Sequence, residues 1–314
     1  MEKRAFSFPF IFGKKILKYK ALGNTGLQIS RIAFGCMSLK PDNPDFENII
    51  HEAIAKGINY FDTADLYDKG ENEILLGKAI RSQRDKLIIA SKAGNQWRAD
   101  GSGWDWNPRK GYILQCAEDS LRRLQTDYID VFQLHGGTIQ DNIDESIEAF
   151  EILIQQGKIR YYGLSSIRPN VIRHHVAYGK MVSVMIQYSL LDKRPEEKVL
   201  DLLQQNNIAV LTRGSLASGL LVDKPAKPYL GQSEQDVRHA QQVVEQMSDA
   251  QRSRAQTALQ YVLQHPAVTS AVVGIRTTKQ LQDAVKAIDL PTLNDEQLAA
   301  LKQNIPATKY AEHR

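Results

Sequence analysis

Four side chains draw attention because each follows a short apolar run and because together they could move a proton. Asp62 ends the run Tyr60-Phe61-Asp62, Lys92 follows Leu87-Ile88-Ile89-Ala90-Ser91, and His135 follows Ile129-Asp130-Val131-Phe132-Gln133-Leu134. Tyr67 lies five residues beyond Asp62. A buried Asp–Lys pair requires mutual compensation, since an unpaired charge there is costly. An ammonium beside a tyrosine favours the phenolate, so the grouping predicts a Tyr67 pKa below the ordinary ~10. Such a tyrosine could donate a proton near neutral pH. A histidine within reach of the same point could orient or polarise a carbonyl. The chemistry these four suit is protonation of a developing alkoxide while hydride arrives from elsewhere.

They can meet only if their strands run parallel and open on one mouth. Three junctions repeat one pattern of amphipathic helix, left-handed cap and β-rich run: around Gly57, around Gly157, and around Asn206-Asn207. The segment after Asp141 or Asn142 carries Ile143, Ile147, Phe150, Leu153 and Ile154 on one stripe and ends at Gly157. The strands are short and nearly continuously apolar, as strands buried on both faces are. About eight are expected, near 32–35, 60–62, 87–91, 129–134, 161–164, 184–187, 209–212 and 271–274, each followed by a helix candidate. Eight such alternations predict a (β/α)8 barrel, whose catalytic residues stand beyond the C-terminal strand ends. A doubly wound sheet is the alternative, but no strand is followed by G-x-G-x-x-G.

With 314 residues, 42% hydrophobic and 24% charged, the chain is neither disordered nor collagenous. A net charge of +4 is compatible with anionic small molecules and does not demand nucleic acid. No apolar run reaches the ~18–20 residues of a membrane span, so no membrane partner is expected. Two cysteines, Cys36 and Cys116, cannot build a disulfide framework, and a reduced, cytoplasmic chain is the simplest reading. Cys36 reads as a small buried residue.

Residues 1–17 read as a flexible N-terminal extension and 18–314 as one barrel domain. Lys14, Lys15, Lys18 and Lys20 read as solvated. His174 and His175 are adjacent and cannot share a helix face, so both read as surface residues and no metal is expected. Residues 94–111 and 217–234 read as long connections. Trp97, Trp104 and Trp106 in the first of these could wall a pocket for aromatic or apolar carbonyl compounds. Oligomeric state is left open.

Taken together, several motifs resemble one family. They are Gly57-Ile58-Asn59-Tyr60-Phe61-Asp62-Thr63-Ala64-Asp65-Leu66-Tyr67, Ile89-Ala90-Ser91-Lys92, Asp127-Tyr128-Ile129-Asp130-Val131-Phe132-Gln133-Leu134-His135 and Gly163-Leu164-Ser165-Ser166. From about Lys18 to about Leu301 the chain resembles the aldo-keto reductases. The resemblance implies a (β/α)8 TIM barrel with an N-terminal hairpin and an extra C-terminal helix. It implies NADPH-dependent (NADP+-forming) reduction of a small aldehyde or ketone. Tyr67 would be the general acid, Lys92 and Asp62 its tuning pair, and His135 the substrate-orienting residue.

Ser165, Ser166 and Gln187 would lie at the nicotinamide carboxamide, with Met37 beneath its ribose and Asp62 also among the cofactor contacts. Ser166 stands where the family usually has Asn. Arg213 takes the place of an aromatic residue and would stack on the nicotinamide ring, with pyrophosphate binding as the alternative role. Leu216 and Ser218 would run along the pyrophosphate. Arg276 would hold the adenosine 2′-phosphate and Gln280 would touch the adenosine end, while a usual Asn appears as Ala284. The alternative reading is a non-catalytic NADPH-binding regulatory subunit, such as a channel accessory protein.

Overall fold

The apolar runs form strands that bury both faces. In a computed structural model describing residues 18–314, the strands are β1 (Tyr19–Ala21), β2 (Gln28–Ser30), β3 (Ile32–Gly35), β4 (Tyr60–Asp62), β5 (Ile88–Ala93), β6 (Asn95–Trp97) and β7 (Trp104–Trp106). They continue as β8 (Ile129–Leu134), β9 (Ile159–Ser165), β10 (Ser183–Gln187), β11 (Ala209–Arg213) and β12 (Val268–Gly274). The expectations for residues 1–17 lie outside the described residues. The helices are α1 (Phe46–Ala55), α2 (Glu71–Ile80), α3 (Lys110–Leu124), α4 (Ile143–Gln155), α5 (Pro169–Tyr178), α6 (Val199–Gln205), α7 (Glu234–Gln246), α8 (Arg254–Gln264), α9 (Thr278–Asp289) and α10 (Asp295–Asn304).

Strands β3, β4, β5, β8, β9, β10, β11 and β12 pair in parallel in chain order, and β12 closes on β3 through Ala271↔Ile32 to Gly274↔Gly35. This is the expected (β/α)8 barrel, with two helices beyond the eight among the described residues: one of the pair α7 and α8 between β11 and β12, and α10 near the C-terminus. Period-two alternation divides its core in two. Tyr60, Ile88, Ala90, Val131 and Leu211 fill the interior, while Phe61, Ile89, Phe132 and Leu134 face the helices.

The β1–β2 hairpin plugs one end by sending Leu22 and Ile29 into the inner core. Gly23 allows this approach: its φ is +53°, and a Cβ there would lie 2.7 Å from the Val182 carbonyl oxygen. Lys20 is not solvated as expected. Its ammonium donates to the carbonyls of Pro266 (2.6 Å) and Val268 (3.0 Å), fastening the hairpin to the barrel rim.

The three helix exits use left-handed residues at Gly57 (φ +93°), Gly157 (φ +72°) and Asn207 (φ +54°). Asn142, not Asp141, caps α4, accepting the Glu145 N–H. Ile154 falls on the flank of the α4 stripe and is 39% exposed. His175 corrects the surface reading. It lies four residues after Val171 and three after Ile172, on the buried face of α5, and is 5% exposed. Burial pushes its pKa down to about 4. The 94–111 connection is not plain loop: β6 and β7 pair as a hairpin, Asn95↔Trp106 to Trp97↔Trp104. Among the described residues no helix is long and apolar enough to cross a membrane.

Candidate active site

At the C-terminal ends of the strands the inward-facing parity continues, but the residues become polar. Asp62 follows Tyr60 by two, Lys92 follows Ile88 and Ala90, and Gln133 follows Val131. Asp62 pairs in register with Ala90, and Lys92 with Gln133 one layer higher. The Lys92 ammonium, fully buried, therefore reaches Asp62 Oδ1 at 2.5 Å, the Thr63 carbonyl at 2.7 Å and the Tyr67 hydroxyl at 3.2 Å. Gln133 donates to the other carboxylate oxygen of Asp62 at 3.2 Å.

Burial pulls the Lys92 ammonium down, but Asp62 and Tyr67 together hold its pKa above the ordinary value. Lys92 is therefore a fixed cation. Burial raises Tyr67, and the opposing pull of Lys92 does not overcome it. The expected depression of the Tyr67 pKa is thus wrong in sign, because desolvation outweighs one nearby ammonium. Tyr67 keeps its proton at neutral pH. That is the state a proton donor needs.

The turn that presents Tyr67 is strained. Asp68 and Lys69 both adopt left-handed backbone, at φ +48° and +54°, before Gly70 at +90°. Non-glycine residues there cost on the order of 1–3 kcal/mol each, a cost concentrated at functional sites. Arg123 packs against Gly70, whose added Cβ would lie 2.7 Å from Arg123 Cδ, and pairs with Glu73 at 2.6 Å.

His135 is held by its backbone. Its N–H donates to the Ala93 carbonyl (2.7 Å), and its own carbonyl accepts from Asn95 Nδ2 (2.8 Å). The ring stands edge-on to Tyr67, 6.1 Å between centroids. Burial, then Lys92, then Arg213, push its pKa down to about 3. His135 is therefore a neutral hydrogen-bonding group. Its ring signals in NMR should remain those of neutral imidazole down to pH 5, and an imidazolium signal at pH 6 would contradict this. Linkage gives a second expectation. His135 and His175 take up protons near the ordinary ~6.5 only when unfolded, so stability falls as pH drops below that value. The slope is up to about 1.4 kcal/mol per pH unit for each histidine. Urea midpoints at pH 7 and pH 5 would measure it.

A single cleft of about 1670 Å³ runs from these groups across the mouth. Asp62, Tyr67, His135, Met37, Ser165 and Ser166 line its inner part. Gln187, Arg213, Leu216, Ser218, Arg276 and Gln280 line its extension, and Lys92 lies beneath. Of the sequence-selected residues, all but the buried Lys92 line this cleft. Arg213 donates to Gln187 Oε1 at 2.9 Å, and Gln187 Nε2 donates to the Tyr229 hydroxyl at 3.3 Å.

Gly214, Ala217, Ser218 and Gly219 are all left-handed. Among the described residues the Ser215 and Leu216 amides find no acceptor. At the far end the Arg276 guanidinium and the Lys279 ammonium have no carboxylate partner among the described residues. Gln280 accepts the Arg276 N–H at 2.9 Å. Trp106 lines the cleft and donates to Asp141 at 3.0 Å. Trp97 and Trp104 meet edge-to-face at 5.5 Å.

Sequence reading missed Gln133, whose parity with Val131 was the available signal, and Lys279, three residues past Arg276. Asn95 and Tyr229 carried no signal, since their roles depend on chain-distant partners.

The sequence profile of the Aldo/keto reductase family matches residues 31–305. The chain belongs to the aldo-keto reductase family. This reductase is 45% identical over 307 residues to YqkF of Bacillus subtilis (strain 168), described as an uncharacterized oxidoreductase, covering 95% of this chain and all of the relative. It superimposes on the holo form of the aldo-keto reductase AKR11C1 from Bacillus halodurans with a TM-score of 0.89 and 43% identity, covering 95% of this chain and 99% of that one. It matches the glycerol dehydrogenase AKR11B4 from Gluconobacter oxydans with a TM-score of 0.79 and 26% identity, over 91% and 95% of the two chains. It is an NAD(P)H-dependent oxidoreductase.

Proposed function

We propose that this aldo-keto reductase reduces an aldehyde or ketone with NADPH. The observation that carries the reading is the buried triangle of Asp62, Lys92 and Tyr67 beside a neutral His135 at the floor of the cleft. When bound, the reduced nicotinamide supplies hydride to the carbonyl carbon. Tyr67 donates the proton to the oxygen that gains negative charge. Lys92, 3.2 Å from the Tyr67 oxygen, stabilises the phenolate left behind, and Asp62 fixes Lys92. His135 orients the carbonyl oxygen by hydrogen bonding.

The residues present fit the cofactor. The cleft exceeds the 300–1,000 Å³ of ordinary small-molecule pockets, leaving room for a dinucleotide and a substrate together. Ser165, Ser166 and Gln187 supply the mixed donors and acceptors an amide needs. The Ser215 and Leu216 amides, without an acceptor among the described residues, suit a pyrophosphate together with Ser218. Arg276 and Lys279, without a carboxylate partner among the described residues, suit a 2′-phosphate, which favours NADPH over NADH. Arg276→Ala should weaken NADPH about 10- to 100-fold, the worth of a charge-assisted contact, and leave NADH nearly unchanged. Titration with both cofactors checks this, and an equal loss for the two would remove the phosphate assignment.

Trp97, Trp104 and Trp106 favour carbonyl substrates bearing aromatic or apolar groups. Trp104 is 51% exposed, so this wall is open to a substrate. The buried, unpaired Cys36 and Cys116 accord with a reducing cytoplasm. NADPH consumption with a panel of aliphatic and aromatic aldehydes tests the function, and no turnover with any of them would count against it.

A further inference from the structure

None of residues 305–314 lines the cleft, yet they tie together the two connections that leave the proposed carboxamide-binding strands. One connection follows Ser165 and Ser166 and enters α5. The other follows Gln187 and enters α6. Where the first enters α5, the Asn170 N–H donates to the His313 carbonyl at 2.9 Å. On the second, the Lys193 N–H donates to Thr308 Oγ1 (3.0 Å), and Glu197 accepts from the Tyr310 N–H (3.1 Å) and from Arg314 Nη2 (3.2 Å). Arg194 packs over the Tyr310 ring at 5.3 Å while paired with Asp192 at 2.7 Å.

The anchor of this segment is Lys193. It is 3% exposed, and its ammonium donates to three carbonyls at the end of α10: Leu301 (3.3 Å), Lys302 (3.4 Å) and Ile305 (2.5 Å). The last carbonyls of a helix lack intrahelical partners and carry partial negative charge. A cation from another element satisfies them there. The same connection is braced on its inner side, where the Tyr188 and Tyr261 hydroxyls donate to Glu196 Oε1 at 2.6 and 2.7 Å. Tyr188 directly follows Gln187. Little slack separates Lys193 from the side chain that would meet the carboxamide. Burial lowers the Lys193 pKa to about 8, so the helix end holds a group whose charge burial disfavours.

We propose that residues 305–314 form a strap that positions the nicotinamide end of the cofactor site, with Lys193 and Glu197 as its positioning residues. The inference rests on the NADPH reading above. It separates the two halves of the cofactor. Ser165, Ser166 and Gln187 depend on the strap, whereas Arg276, on the connection into α9, and Lys279, in the first turn of α9, do not.

The test uses the full chain with two probes, NADPH and adenosine 2′,5′-bisphosphate, which carries the phosphate half without nicotinamide. The variants are Lys193→Met and, because that change could unfold the α10 end, the paired surface change Glu197→Ala with Arg314→Ala. NADPH affinity should fall about 5- to 20-fold, the range for losing one or two hydrogen-bonded restraints, with bisphosphate affinity unchanged. The fluorescence of bound NADPH should shift toward that of the free form. Unchanged NADPH affinity alongside a lowered Tm would overturn the strap as a positioning element. So would an equal loss for both probes. Failure of the unsubstituted protein to bind either probe would instead overturn the NADPH reading, and the strap with it.

Discussion

Tyr67→Phe should lower kcat for carbonyl reduction by about 10³-fold, within the range general acid catalysis supplies, while NADPH affinity stays within about twofold. The substitution removes one oxygen and little volume. Lys92 keeps Asp62 and the Thr63 carbonyl as partners, at 2.5 and 2.7 Å, so its charge remains satisfied. The loss should therefore be confined to the proton-transfer step. A loss of this size corresponds to about 4 kcal/mol of transition-state stabilisation. Steady-state kinetics together with a binding titration measure both quantities. Equal turnover in the variant would remove Tyr67 as the acid.

Lys92→Met should do more, because it acts on the fold as well as the chemistry. Asp62 is 3% exposed, and with the ammonium gone only Gln133, among the described residues, remains on its carboxylate. Leaving one member of a buried pair uncompensated costs about 3–5 kcal/mol, so urea unfolding should shift accordingly. Activity should fall at least as far as in Tyr67→Phe. Replacing the whole pair, with Asp62→Leu added to Lys92→Met, should restore most of the stability, since well-packed apolar pairs often match buried ion pairs. It should restore none of the activity. Recovery of turnover in the double variant would show that the ion pair serves only the fold.

The barrel was legible because its strands bury both faces and so write themselves as unbroken apolar runs. All eight expected strands are present, with ends moved by a few residues. The site was legible for a related reason. In a parallel barrel, polar residues directly after such runs must face one mouth, and Asp62, Lys92 and His135 do. What failed depended on packing between distant parts of the chain. The Tyr67 pKa follows from how much of the neighbourhood excludes water, which strand order alone does not give. Lys20 and His175 read as surface groups until the rim carbonyls and the α5 face were in view. Lys193 gave no signal at all, since its nearest acceptors lie more than 100 residues along the chain.

The most direct measurement is transfer of deuterium from NADPH labelled at both nicotinamide C4 positions to an aldehyde, in the unsubstituted protein and in Tyr67→Phe. The expected result is an alcohol with deuterium on the former carbonyl carbon, formed by the unsubstituted protein and nearly absent with the variant. Product without label, or equal labelled product from both proteins, would contradict a hydride-transferring reductase that uses Tyr67 as its acid.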